Sequence, residues 1–273
     1  MIRHRRGNEF LLITQDDHAI ASSEMAKHLG NRIFATPIPY QPTLAAIRMH
    51  DSGWPLHDSE PTLDQHGFPL HVLECPPRIA TRVWSESANR AAELGDYEGL
   101  LVSLHVLHLS ARWLASGQAR TPSEIFELNK FQHRQIEIQE AIRKALEMRT
   151  DLPLELGLAG AGRAPDEDLL RVNFSLLRAM DALSLDACCS EPVFQSIDGI
   201  FPRPQAAPIS IRVHHPAEFT LGIDPWPFNV DQIEIDVPAR RISARPFASL
   251  ESFHDAYRSA PIGLCPMRMI RQK

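Results

Sequence analysis

Two spacings of hydrophobic and polar positions divide the chain. Up to about residue 190, apolar residues recur every three or four positions, the spacing of a helix that turns one face to a core. This predicts helices over about 16–29, 96–113 and 165–189, with a short one that follows Pro42 and ends near Gly53. Thr121-Pro122-Ser123-Glu124 supplies a capping hydroxyl, a proline at the first helical position and a glutamate three residues on, which predicts a further helix to Met148. After Pro208 the period drops to two: Ile209, Ile211 and Val213, then Phe219, Leu221 and Ile223, then Ile233, Ile235 and Val237, with Ile242 beyond them. Such alternation predicts three or four antiparallel strands with one buried face. The prolines agree with this division: of 22, only three lie between Trp84 and Glu191, against eight from Pro37 to Pro77 and eleven from Pro192 onward. The predicted fold class is therefore mainly α, a helical body over residues 1–191. A proline-rich tail over 192–273 adds a small C-terminal antiparallel β-sheet packed on that body.

Several polar residues fall on faces that should be apolar. His18 shares a stripe with Ala21, Met25 and Leu29, and Asp51 lies beneath Leu44 and Ile47, with His50 beside it at a helix end that favours a cation. Asp181 shares the stripe of Leu170, Leu177, Leu185 and Cys188, where an uncompensated carboxylate costs several kcal/mol, roughly. Its counter-charge is a metal ion, an arginine such as Arg178 or Arg82, or a neighbouring helix N-terminus. His18 alone equally suits a core histidine bonded to a carbonyl. His105 and His108 project within about 60° of each other, with Arg112 one turn on, a spacing that suits metal or phosphate contacts or a solvated polar face. Together His18, His50, Asp51 and Asp181 offer mixed nitrogen and oxygen donors and two negative charges for a divalent transition ion, iron, manganese, zinc or nickel. His105 and His108 are available for a second ion or for substrate.

Composition narrows the partners. The 273 residues carry 28 Lys plus Arg against 34 Asp plus Glu, a formal charge of −6 that gives no global attraction for nucleic acid or an anionic membrane. No apolar run approaches the length of a membrane span, and no signal sequence is read at the start. Cys75, Cys188, Cys189 and Cys265 show neither a CxxC pair nor a disulfide framework, which is the pattern of reduced thiols in a cytoplasmic protein. The segment from Ser52 to Pro77 holds His57, Asp58, Glu60, Asp64, His66 and His71 among five prolines, three of them before Cys75, and reads as a lid or a polar surface loop.

The order His18, then His50-Asp51 within RMHDSGW, then Asp181 within LLRAMDALSLDACC resembles the H…HD…D order of the HD-domain superfamily, helical metal-dependent phosphohydrolases. The strings ITQDDHA, HDSGW, LLVSLH and MDALSL also look like those of a bacterial family of unassigned activity. The resemblance covers about residues 9–190. It implies an HD-like helical bundle with His18, His50, Asp51 and Asp181 as metal ligands. It also places His105 and His108 where dinuclear members carry extra histidines. Many members have Lys three residues after the Asp of HD; here that position is Trp54, so phosphate recognition falls to Arg112, Arg82 or Lys130.

The expected function is metal-dependent hydrolysis of a small, phosphorylated molecule. Asp51 would orient the nucleophile, and His105 or His108 would stabilise charge or protonate the leaving group. Two alternatives use the same residues: a di-iron oxygenase on an HD-like fold, and a noncatalytic scaffold with a structural or ligand-binding ion site. Substrate, metal identity and oligomeric state are not legible in the sequence.

Overall fold

The computed structural model describes residues 1–117, 121–148 and 166–272. Strands β1 (Ile2–Arg6) and β2 (Glu9–Ile13) open the chain as a hairpin whose turn needs the left-handed backbone of Gly7, at φ 59°. Helices α1 (Gln15–Ala26) and α2 (Tyr40–Met49) follow, then the single turn α3 (Pro55–Asp58) and the long helices α4 (Pro77–Leu94), α5 (Asp96–Ala115), α6 (Pro122–Met148) and α7 (Glu167–Cys188). The C-terminal part contributes β3 (Ser196–Ile200), β4 (Ile209–Ala217), β5 (Thr220–Asp224), β6 (Gln232–Ser243), helix α8 (Leu250–Ser259) and β7 (Ile262–Arg271).

The helix starts are set by local chemistry. Thr14 Oγ1 accepts from Asp17 N at 3.0 Å, Thr121 and Glu124 form the expected reciprocal cap, and Asp166 accepts from Asp168 N and Leu169 N. The expected start of α7 at Pro165 lies outside the described residues. Among the described residues no helix is long and apolar enough to cross a membrane.

The mainly α assignment is corrected by the sheet. Seven strands run in the order β1-β2-β6-β7-β5-β4-β3, with β5 and β7 parallel and the other neighbours antiparallel, so the fold is α/β with a large mixed sheet. Three features hid it. The run Phe10-Leu11-Leu12-Ile13 shows no alternation because both its faces are buried: Leu11 and Ile13 join the main core, whereas Phe10 and Leu12 pack with Ile242, Phe253 and Tyr257 under α8. In β7 the buried Cys265, Met267 and Met269 do alternate, but Pro261 and Pro266 read as interruptions. Third, β2 pairs with β6 across more than two hundred residues of sequence, through Phe10–Ile242 and Leu11–Arg241, which no local pattern announces. The same sheet positions the functional site, because α7 packs on β3, β5 and β7, and α1 packs on α7.

Candidate metal centre

Four elements bring the site together. α1 supplies His18, the C-terminal end of α2 supplies His50 and the turn after it Asp51, and α7 supplies Asp181; one ligand atom from each of these four residues lies within 4.8 Å of all the others. α5 adds His105. The turn after Asp51 is tight because α4 passes close by. A Cβ on Gly53 would stand 2.0 Å from the Val83 carbonyl oxygen, and Ser87 Oγ accepts from Gly53 N at 2.9 Å.

His18 and His50 are fully buried, and both rings have one nitrogen committed to the scaffold. Nδ1 of His50 donates to the Ile47 carbonyl at 2.6 Å, and Nδ1 of His18 lies 2.8 Å from Ser184 Oγ. This leaves each Nε2 facing the carboxylates. Nε2 of His18 is 2.8 Å from Asp51 Oδ2 and 3.8 Å from Asp181 Oδ1; Nε2 of His50 is 3.4 Å from Asp181 Oδ1 and has no hydrogen-bond partner. With the proton of His50 on Nδ1, its Nε2 lone pair faces an anionic oxygen, an arrangement that either a second proton or a metal ion between them relieves. Burial lowers the His50 pKa, but Asp51 and Asp181 overcome that and raise it to about 9. A proton and a divalent ion therefore compete for the same lone pair. Burial pushes the Asp181 carboxyl up, and the surrounding His50, His105 and His18 hold it well below the usual carboxylate range. The donor set, two imidazole nitrogens and two carboxylates with the second nitrogen of each ring hydrogen-bonded, fits a divalent transition ion.

Asp51 and Asp181, unlike His18 and His50, line a cavity of about 610 Å³. Trp54, at the position of the expected lysine, donates from Nε1 to Asp51 Oδ1 at 3.1 Å and holds the carboxylate in place. His105 also lines the cavity, with Nε2 3.5 Å from Asp181 Oδ2 and neither ring nitrogen hydrogen-bonded. Burial lowers its pKa to about 4 against the pull of Asp181; burial and Arg178 lower that of His108 to about 3. Both rings are thus neutral near pH 7.

Arg112 lines the same cavity, whereas Arg82 and Lys130 are exposed elsewhere and do not line it. Arg178 makes no ion pair with Asp181 among the described residues and reaches the cavity in its own right, so the sequence placed it only as a possible counter-charge. Gln15 and Ser184 went unread; nothing in an amide at the first position of a helix or a serine among many marks them. In the Ser52–Pro77 segment, His57 and Asp58 are buried in a network of their own, and Trp54, Val72 and Leu73 reach the cavity wall.

A family described as "Protein of unknown function (DUF3891)" matches residues 1–244, and the chain belongs to it. No curated protein and no solved structure matches the chain. The expected membership of the HD-domain superfamily is corrected on two counts: that superfamily is not found, and the seven-stranded sheet is foreign to a helical HD bundle. Four residues in the order H…HD…D describe a side-chain cluster and carry no information about the strands around it.

Proposed function

We propose that the protein is a metal-dependent hydrolase acting on a small phosphoester. The carrying observation is that the two carboxylates of the His18–His50–Asp51–Asp181 cluster face a cavity while the two imidazoles lie behind them. An ion held there has its open side toward the cavity, as catalytic sites do and closed structural sites do not. The cavity volume of about 610 Å³ suits a small molecule. When bound, a divalent ion would lower the pKa of a water and polarise a phosphoryl oxygen. Asp51, fixed by Trp54 and His18, accepts a proton from the nucleophile. His105, neutral and with both nitrogens free of hydrogen bonds, donates to a phosphoryl oxygen.

The test is metal analysis of the purified protein together with turnover of a panel of phosphomonoesters and phosphodiesters. Stoichiometric ion and release of phosphate or alcohol, both lost in Asp181→Asn, is the expected result. Stoichiometric ion with no turnover overturns the hydrolase reading in favour of a binding role, and iron with substrate-dependent dioxygen uptake overturns it in favour of an oxygenase.

A further inference from the structure

Along α5, His105, His108 and Arg112 form a ladder that climbs away from the carboxylates. At about 1.5 Å per residue the backbone of Arg112 stands roughly 10 Å beyond that of His105. On α7, Arg178 precedes Asp181 by three residues and leads the same way. Both guanidiniums turn outward from the ligand cluster: Arg178 lies over Phe174 at 5.8 Å and donates to the Asp198 carbonyl at 3.2 Å, and Arg112 lies over Phe194 at 5.9 Å. Neither makes an ion pair with a carboxylate within 4 Å among the described residues, although both line the cavity; the charge of Arg112 opposes that of Arg178, and the more distant carboxylates of Asp181 and Asp198 partly offset it. Asp198 also lines this end; its carboxylate accepts from Ser196 at 3.0 Å and attracts Arg178 across the rim without an ion-pair contact.

Independent of the charges, two further hydrogen-bond donors are left over. Among the described residues Gln15 Nε2 and Trp113 Nε1 are buried without a partner, and both residues line the cavity; Gln15 is only 2% exposed. Buried donors without partners are costly, and an acceptor-rich ligand satisfies them. Between the two polar ends the wall is apolar, formed by Trp84, Leu109, Leu185 and Val193.

We propose that Arg112 and Arg178 form a second anion subsite at the outer end of the cavity. The substrate is then a phosphoester that carries a further carboxylate or phosphate, joined through an apolar spacer to the group that meets the ion. Arginine suits this task because its planar fork binds such oxyanions bidentately. The inference rests on the hydrolase reading above.

The test uses the full chain loaded with Mn²⁺ and two series of non-hydrolysable probes of matched length: alkylphosphonates, and phosphonates that end in a carboxylate. Calorimetric titration should find at least one carboxylate-bearing probe binding ten-fold or more tightly than its plain counterpart. Arg112→Gln/Arg178→Gln should shrink that ratio below two-fold while leaving plain alkylphosphonate affinity and Mn²⁺ stoichiometry unchanged; Arg112→Lys/Arg178→Lys, which keeps both charges, should retain part of it. Equal affinities at every length, or a ratio that survives the double glutamine variant, overturns the second subsite and leaves the hydrolase reading standing. Plain alkylphosphonates that bind metal-free protein as well as loaded protein overturn the hydrolase reading instead. If neither series binds the loaded protein, both fall.

Discussion

Two buried carboxylate clusters, one at Asp58 and one at Asp51 with Asp181, differ in one respect. Asp58 is surrounded by donors: the Met1 ammonium at 2.9 Å, His57 Nδ1 at 3.2 Å and Gln15 N at 2.9 Å. Its backbone carbonyl accepts from Tyr257 at 2.9 Å. Burial pushes its pKa up, and those donors more than reverse it, so the charge is fully compensated within the protein. Asp181 meets only imidazole nitrogens, at 3.4, 3.5 and 3.8 Å, and a second carboxylate, Asp51, shares them. Burial of a carboxylate is common to both clusters and identifies neither. Around Asp51 and Asp181 two carboxylates share imidazoles and the Trp54 donor, with no arginine, lysine or ammonium ion pair among the described residues, whereas an ammonium pairs with the one carboxylate of Asp58; that difference in fixed positive charge separates a site that can take a cation from one that holds the fold together.

That contrast can be broken most sharply at the charge deficit. Asp51→Asn and Asp181→Asn remove half of the negative charge each while nearly preserving shape, so bound metal should fall at least ~100-fold in affinity and hydrolysis to background, read by metal analysis and turnover. Asp58→Asn should do the reverse. It leaves a buried ammonium unpaired and should cost about 3 kcal/mol in urea unfolding, with metal content intact. The same cluster sets a pH signature. Because the folded pKa of Asp58 is lowered from the ordinary 3.8, its stabilisation is complete above that value and is lost as the pH falls through the lower folded one. Acid unfolding of Asp58→Asn should accordingly lack that component. His105→Ala removes a group that faces substrate, and turnover should drop about 100-fold with at least one ion retained. The smallest effect is expected at Ser184→Ala, which frees the ring of His18; metal affinity should weaken by about ten-fold without loss of fold. Unchanged affinity there would show that packing alone orients the ring.

Much of the site was legible because a polar residue on an apolar stripe is a local anomaly. His18 among Ala21, Met25 and Leu29, and Asp181 among Leu177, Leu185 and Cys188, break a period that helical geometry imposes on the neighbouring residues. His105 was more ambiguous, since Leu100, Leu104 and Leu107 mark an apolar face opposite it; in the fold His105 and Leu100 are both buried while Leu104 and Leu107 are partly exposed. Arg82, Arg112 and Lys130 carry the same charge and similar sequence surroundings, and only the path of α5 beside α7 brings one of the three to the cavity.

The sequence by itself determined α1, α2, α5, α6 and α7, the cap of α6 and the four candidate site residues, since each depends on residues within one or two turns of one another; α4 and α8 lie where no helix was predicted. It also determined the alternation of β4, β5 and β6. Tertiary structure decided the rest: that the first thirteen residues join a sheet completed near the C-terminus, that β7 enters it parallel to β5, and that α1, α2 and α7 meet at one point. Pairing between distant strands and convergence of helices depend on which surfaces remain unburied after every element has formed, and that is a property of the whole chain.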